Sequence, residues 1–229
     1  DTVQVAPLGV VTVAGNLTID NGTFSLNSRP LTLTGNFDNN DAFTHANGTI
    51  IFNRAAGTQT LDSGGDPFFN ITHSGLGTLQ LADDLTVTNN FSNNAGTFDL
   101  NGNDWTMTGA GFSNLNTVRL QGDETITGLT QDINSGTWEY VGDGGGGSTN
   151  FDAKDFGATD YFNLKINTAD PADIIRLQNP TTTAGMLSVD SGIFNLNSNN
   201  LTVIGTVSNN GTIRLRGTET VTLSKGNDI

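Results

Sequence analysis

Residues 96–114 read GTFDLNGNDWTMTGAGFSN, and they align without a gap with residues 22–40, GTFSLNSRPLTLTGNFDNN, and residues 192–210, GIFNLNSNNLTVIGTVSNN. The copies share a Phe, a Leu–Asn pair, a Thr and a Gly at fixed positions. In copy order these are Phe24, Phe98 and Phe194; Leu26–Asn27, Leu100–Asn101 and Leu196–Asn197; Thr32, Thr106 and Thr202; and Gly35, Gly109 and Gly205. Repetition in one register predicts a chain built by stacking one short unit.

The repeated unit has the pattern of β-strands. Apolar and polar residues alternate in Leu85-Thr-Val-Thr88, Val118-Arg-Leu120 and Ile213-Arg-Leu215, and this period of two is typical of strands. Groups of Asn, Gly, Ser and Asp separate these runs, as in turns. We find no stretch of about ten residues with the apolar period of a helix.

The spacing of the repeats selects one β architecture. Starts of the Gly-Thr type recur about every 19 to 20 residues, at Gly77, Gly96, Asn116, Gly136, Gly192 and Gly211. This unit is too short for a propeller blade and lacks the leucine-rich consensus, and a sandwich gives no reason for repetition in register. The sequence predicts an all-β protein, a single elongated parallel β-helix (β-solenoid), right-handed, with about 11 coils. Residues 1–229 are expected to form one domain with a Gly-rich loop insertion around 142–160.

Composition excludes several classes of partner. The net charge of −14 and a pI near 4.1 repel phosphate backbones and anionic lipid, so we expect no nucleic acid. The chain has no Cys, which excludes disulfides, thiolate zinc sites and cysteine catalysis. No apolar run approaches the roughly 18 residues of a membrane span. Because Asp1 opens directly into repeat-like sequence, we expect a processed or partial chain that is secreted, extracellular or at the cell surface.

At residues 96–103 and 106–109 the chain resembles the Thr/Asn/Gly-rich repetitive proteins of bacterial cell surfaces. Gly57-Thr-Gln-Thr60 and Phe69-Asn-Ile-Thr72 carry the same resemblance. Those proteins are parallel β-helix adhesin and filament stalks. The resemblance implies an extracellular, non-catalytic structural protein: a stalk, an adhesin or a filament-forming subunit. The secretion motif and the membrane barrel found in some of those proteins are not in this sequence.

Acidic side chains provide the only candidates for a metal site. We expect no resident cofactor; should a metal bind, Ca²⁺ fits best, because it takes six to eight oxygen ligands. Its candidate ligands are Asp143, Asp152 and Asp155, in the Gly-rich loop. Asp38, Asp41 and the Asp83–Asp84 pair lie in other turns, where carboxylates commonly only add solubility. No EF-hand or Gly-Gly-x-Gly-x-Asp spacing is present.

Three further functions remain as alternatives. The Trp138 and Tyr140 side chains beside the insertion could form a platform for surface glycans, although the sequence favours packing of at least one of them in the core. An ice-binding surface would need stacked Thr pairs, of which the candidates are Thr32/Thr34, Thr58/Thr60, Thr86/Thr88, Thr106/Thr108, Thr125/Thr127 and Thr220/Thr222.

A polysaccharide-active enzyme would need clustered carboxylates with a basic residue. Here the basic residues are scattered, and His45 and His73 lie outside any nucleophile motif. We therefore predict that the chain is not an enzyme and has no catalytic residues.

Self-association is the last expectation. Both Asp1 and Ile229 adjoin repeat-like strands, and terminal coils of a solenoid present unpaired backbone groups. A head-to-tail contact between copies does not close on itself and so gives fibres. We therefore expect end-to-end association of copies.

Overall fold

The computed structural model describes residues 2–5, 11–109 and 111–225. These residues contain no helix, and their parallel sheets stack as a β-solenoid of about 11 turns, which confirms the predicted fold class. Two compact units divide the chain. Unit 1 comprises Asp1–Thr117 and Thr125–Thr130, and unit 2 comprises Val118–Glu124 and Gln131–Ile229. The single domain over residues 1–229 stays a prediction.

The strands in the first half of the chain are mostly short. In chain order they are β1 (Thr2–Gln4), β2 (Val11–Val13), β3 (Leu17–Ile19), β4 (Thr23–Ser25), β5 (Pro30–Leu33), β6 (Phe37–Asn39), β7 (Ala42–Thr44), β8 (Thr49–Phe52), β9 (Thr58–Asp62), β10 (Phe68–His73), β11 (Thr78–Leu81), β12 (Leu85–Asn93), β13 (Thr97–Asp99) and β14 (Trp105–Met107).

The second half continues the same pattern. Its strands are β15 (Gly111–Asn114), β16 (Thr117–Leu120), β17 (Ile126–Thr127), β18 (Thr137–Tyr140), β19 (Asn150–Asp152), β20 (Asn163–Asn167), β21 (Ile174–Arg176), β22 (Thr181–Thr183), β23 (Leu187–Ser191), β24 (Ile193–Asn195), β25 (Leu201–Val203), β26 (Val207–Asn209), β27 (Thr212–Arg214) and β28 (Val221–Leu223).

Unit 1 has three parallel sheets that the chain visits in rotation through its first nine strands. The sheets are A1 (β1-β4-β7), B1 (β2-β5-β8-β10-β12-β14-β17, with β15 beside β12) and C1 (β3-β6-β9-β11-β13). In B1, Val11 pairs with Leu31, and Leu31 pairs in turn with Ile50. The separation of these partners along the chain confirms the predicted length of one coil.

Unit 2 repeats this arrangement. Its sheets are A2 (β19-β21-β24-β27), B2 (β22-β25-β28) and C2 (β16-β18-β20-β23-β26). Leu187 pairs with Val207 and Ile174 with Ile193, so the length of a coil is the same as in unit 1. One coil is longer, because Thr137 pairs with Asn163. That coil contains the segment 142–160, in which β19 lies.

The shared Phe positions pack between coils. Phe98 and Phe194 have no exposed surface and belong to the core. The ring centroid of Phe98 lies 4.4 Å from that of Phe91. Phe24 differs, because it is only half-buried. Its neighbour in β1 is Val3, which is itself 62% exposed, so the Phe24 ring is poorly covered on that side.

The Leu–Asn pair joins the apolar core to a turn. Leu100 and Leu196 are buried, and the Asn that follows each has φ of 53° and 51°, in the left-handed region that Asn tolerates. The amide of Asn101 donates a hydrogen bond to the Leu81 carbonyl oxygen at 3.3 Å. Asn197 makes the equivalent bond to Leu177 at 3.1 Å. The repeated Asn therefore turns the chain and ties it to the preceding coil.

The repeated Gly occupies a corner where two coils touch through their backbones. A Cβ atom on Gly35 would overlap the Gly15 carbonyl, and one on Gly205 would overlap the Gly185 carbonyl. At Gly109 a Cβ would meet the backbone of Asn89. Close approach of backbones, rather than a special φ, therefore explains why Gly recurs at this position.

The close packing at this corner predicts that two Gly→Ala substitutions in unit 2 differ in their effect on stability. Gly205→Ala should lower the free energy of unfolding by about 1–3 kcal/mol, because its methyl group must displace backbone. Gly146→Ala is the matched control, since a Cβ there meets nothing within 4 Å. Urea unfolding of both variants provides the measurement. Equal midpoints for the two would show that the corner is not tightly packed.

Candidate functional site

Buried carboxylates are concentrated around the inserted segment of unit 2. Five acidic side chains are buried among the described residues, and four of these, Glu124, Glu139, Asp160 and Asp173, belong to unit 2. Carboxylates removed from water have perturbed ionisation, and such groups cluster at functional sites. The segment 142–160 and the strands beside it are therefore the candidate site.

The three predicted Ca²⁺ ligands have separate roles in this region. Asp143 Oδ1 accepts a hydrogen bond from the Gly145 N–H at 2.8 Å, and Asp155 Oδ1 accepts one from Gly157 at 2.9 Å. Asp152 lies on β19 and pairs with Arg176 at 2.7 Å. Within residues 2–5, 11–109 and 111–225, no three or more His, Asp or Glu side chains are grouped to hold a metal ion. Asp143, Asp152 and Asp155 therefore do not form one ligand set.

Trp138 and Tyr140 are packed in the core, so they do not form the alternative glycan platform, and contact with glycans elsewhere stays untested. Trp138 is 1% exposed and Tyr140 is fully buried, so neither ring is accessible to a sugar. The Trp138 ring packs on Phe156, from the inserted segment, with centroids 4.8 Å apart. The inserted segment itself covers these aromatic rings, which is why neighbouring sequence could not reveal their burial.

A pair of tyrosine hydroxyls fixes the insertion at Lys154. The Tyr161 hydroxyl donates to the Lys154 carbonyl oxygen at 2.6 Å, so its single proton is used there. The Tyr140 hydroxyl must then donate to Tyr161, at 2.7 Å, while it accepts from the Lys154 N–H at 2.8 Å. Burial raises the pKa of both tyrosines, so they stay protonated at neutral pH. The pair is suited to holding a peptide group rather than to proton transfer.

The side chain of Lys154 makes a second connection. Its Nζ donates to the Gly122 carbonyl oxygen at 2.8 Å. Buried Glu124 accepts hydrogen bonds from the N–H groups of Gln121 and Gly122, both at 2.7 Å. A carboxylate that accepts two backbone N–H bonds orders the loop around it. The segment 118–124 and the inserted segment are therefore linked within unit 2.

Asp160 closes the other end of the insertion. Its carboxylate accepts hydrogen bonds from the N–H of Phe156 at 3.0 Å and of Thr182 at 2.9 Å. Burial, with a further contribution from nearby Asp155, raises the pKa of Asp160. The side chain thus connects the insertion to β22 of the next coil.

Charges alternate along the outer face of sheet C2. Glu139 Oε2 lies 3.2 Å from Arg119 Nε, and Glu139 Oε1 lies 3.1 Å from Lys165 Nζ. Lys165 also pairs with Asp190 at 3.4 Å. Burial alone would raise the pKa of Glu139, but the hydrogen bond from Asn167 and the two cations outweigh it, and its pKa is lowered. This row joins four successive strands of the sheet.

Polar side chains of unit 1 likewise connect coils. Asp83 accepts hydrogen bonds from the N–H and hydroxyl groups of Ser63 at 2.7 and 2.6 Å. Asp84 accepts the Asp104 N–H at 2.8 Å. His73 is buried beside Asn93, with 2.9 Å between Nδ1 and Oδ1, and burial lowers its pKa. The Asp83–Asp84 pair therefore fastens turns of neighbouring coils.

The Thr pairs give rows that are one residue wide. Thr86, Thr106 and Thr127 are neighbours in sheet B1. The second Thr of two pairs is used internally, because the hydroxyls of Thr34 and Thr88 donate to carbonyls of the preceding coil at 2.9 and 3.0 Å. In unit 2, Thr182, Thr202 and Thr222 form another single row. Ice binding stays an untested alternative. Its candidate surface in these rows has one outward Thr per strand.

Several site residues were missed by sequence reasoning. Glu124, Asp160 and Asp173 were not singled out, although Asp173 directly precedes the apolar pair Ile174-Ile175. An acidic residue immediately before an apolar strand is the signal that could have identified Asp173. Nothing local marks Asp160, because its partners include a residue of a different coil.

Comparisons with known proteins do not assign the chain to a family or a function. No protein-family model, no curated protein and no solved structure matches this chain. Among the residues that the structure describes, no helix is long and apolar enough to cross a membrane.

The row of charges predicts that Glu139→Gln lowers the free energy of unfolding by an amount that depends on pH. At pH 7 the variant should lose about 1–2 kcal/mol of unfolding free energy, because two partly exposed cations lose their buried partner. The pKa of Glu139 is lowered in the folded state, so its contribution is present above the ordinary value of 4.5 and disappears as pH falls through the folded value. The gap between wild type and variant should therefore shrink towards pH 3.

Asp190→Asn is the matched control for this measurement. Asp190 ends the row and is 35% exposed, so its removal should cost less than about 0.5 kcal/mol. Urea unfolding at pH 7, 5 and 3 gives the comparison. A gap for Glu139→Gln that stays constant over this range would contradict the role of its charge.

Proposed function

We propose that this chain is an extracellular, non-catalytic structural protein, a stalk, adhesin or filament subunit made of stacked β-coils. The observation that carries the proposal is the use of polar side chains. Asn101, Asn197 and Asp83 bond to neighbouring coils, and the buried groups of the insertion bond to its backbone. Side chains committed to joining coils serve stability and stiffness.

The surface chemistry supports the same role. A net charge of −14 keeps the outer surface hydrated and repels other acidic polymers. The Thr/Asn/Gly-rich repeats resemble those of bacterial surface stalks. One competing function has a specific observation in its favour: a Ca²⁺-binding surface module, which the buried carboxylate of Asp173 would suit.

Association of copies end to end belongs to this proposal. The termini Asp1 and Ile229, on which the expectation first rested, lie outside the described residues. The described strands β27 and β28 each pair with one strand, and exposed apolar side chains lie on or beside them, with Leu215 at 50% and Val221 at 38%. They border an apolar cavity of about 330 Å³. Its occupant would be a second copy, whose β1 and β2 follow the same order and expose Val3.

Sedimentation velocity over micromolar concentrations, with negative-stain microscopy of the same samples, tests this proposal. Wild type should form strings of particles that lengthen with concentration. Val221→Asp should remain single, because a charge at the contact must be desolvated. Ile204→Asp is the matched control, since Ile204 is 47% exposed but does not line the cavity, and its replacement should leave association unchanged.

Cell labelling addresses the location. Antibodies raised against the purified chain should label intact source cells or the culture medium. Labelling only after lysis, or release of reducing ends from a panel of polysaccharides, would contradict an extracellular, non-catalytic role. Wild type that sediments as a monomer throughout would remove the filament form of the proposal.

A further inference from the structure

Three carboxylates of unit 2 lie in the Gly-rich loop and in the turn that is bonded to it. Asp143 begins the loop, and Asp170 and Asp173 lie in the turn that precedes β21. Both oxygens of Asp170 accept backbone N–H groups, from Ala172 at 2.8 Å and Gly147 at 2.9 Å. The Asp170 carboxylate thereby bonds the turn to the loop.

Asp173 is the distinctive member of this cluster. It has no exposed surface, and its Oδ1 accepts the Thr149 N–H at 3.0 Å. Its Oδ2 is buried and has no hydrogen-bond partner among the described residues. This atom points at the loop, since a Cβ on Gly142, the residue before Asp143, would overlap it. A buried carboxylate oxygen left without a partner is costly and calls for a ligand.

Within the described ranges, no basic residue balances this charge. The ion pairs there involve none of the three carboxylates. Burial, and then the negative charges of Asp143 and Asp170, raise the pKa of Asp173, whereas its bond from Thr149 acts in the opposite direction. A positive ion at Asp173 Oδ2 would relieve all of these penalties together.

We propose that this cluster is a Ca²⁺ site, with Asp173 Oδ2 as its buried ligand and the Asp143 carboxylate as its second. The absence of a group of three acidic ligands in the described residues means that backbone carbonyls and water must supply the remaining oxygens. The loop is suited to this, because Gly142, Gly144 and Gly147 have positive φ and can turn their neighbouring carbonyls inward.

The chemistry favours Ca²⁺ over a proton or Mg²⁺. A proton on Asp173 would neutralise one carboxylate but would bring no positive charge to Asp143 and Asp170. Mg²⁺ requires nearly ideal octahedral geometry, whereas Ca²⁺ accepts irregular sets of six to eight oxygens of the kind that a Gly-rich loop provides. Binding would fix this loop onto the Asp170–Asp173 turn.

Calorimetric titration and thermal unfolding of the full chain, first in EDTA and then with CaCl₂ or MgCl₂, test the site. We expect one Ca²⁺ per chain with a dissociation constant of about 10⁻⁴–10⁻³ M, as in extracellular modules. At 10 mM CaCl₂ the Tm should rise by about 3–11 °C, with a smaller rise for MgCl₂. Asp173→Asn, which keeps the shape of the side chain, should abolish the Ca²⁺ response.

Asp155→Asn is the matched control, because Asp155 lies in the same insertion and its Oδ1 caps Gly157. It should keep the full Ca²⁺ response. Should Asp173→Asn fail to fold by circular dichroism, Asp143→Asn at the exposed edge replaces it, with at least a tenfold weaker affinity expected. The proposal is overturned if wild type shows no heat and no Tm shift, or if the Asp173 or Asp143 variant binds like wild type. If the wild type does not respond to Ca²⁺ and Asp173→Asn is more stable than the wild type in EDTA, Asp173 carries a proton in the folded protein instead of binding Ca²⁺.

Discussion

In-register pairing between successive coils is the constraint on which this structure depends. The described strands pair in parallel with strands one coil away along the chain, so every paired side chain has a fixed neighbour in the next coil. Apolar neighbours such as Phe194 and Ile213 then stack because the register fixes each partner. At the corners the backbones approach so closely that Gly185 and Gly205 leave no room for a Cβ atom. Repetition in the sequence is the consequence of this geometry.

The site arises where the repetition is interrupted. The coil that runs from Thr137 to its partner Asn163 is longer than its neighbours, and its extra chain must be ordered by contacts specific to it. The Tyr140–Tyr161 hydroxyl pair and buried Asp160 provide these contacts through hydrogen bonds to the inserted backbone. Asp173 is buried by the same loop but has one oxygen that accepts no hydrogen bond from the residues that the structure describes. A β-solenoid with one inserted segment accounts for both the regular and the irregular parts.

Sequence reasoning could predict the coils because their determinants are local and repeated. The Phe, Leu–Asn and Gly positions each correspond to a definite packing role, and among the repeated Phe residues Phe24 alone is less buried than expected, since its neighbour Val3 covers it poorly. The insertion was less predictable. Trp138 packs on Phe156, and the Asp173 carboxylate accepts the Thr149 N–H of the insertion, so the decisive neighbours are distant along the chain. No local pattern indicates which turn covers which loop.

Deletion of one whole coil tests the account most directly. Thr58 pairs with Thr78, so a chain that lacks residues 58–77 keeps every later strand in register, whereas one that lacks residues 58–67 shifts the register by half a coil. Far-UV circular dichroism and urea unfolding of both chains give the comparison. The account predicts strand structure and a cooperative transition for the first chain and neither for the second. An unfolded first chain, or two chains that behave alike, would contradict stacking in a fixed register.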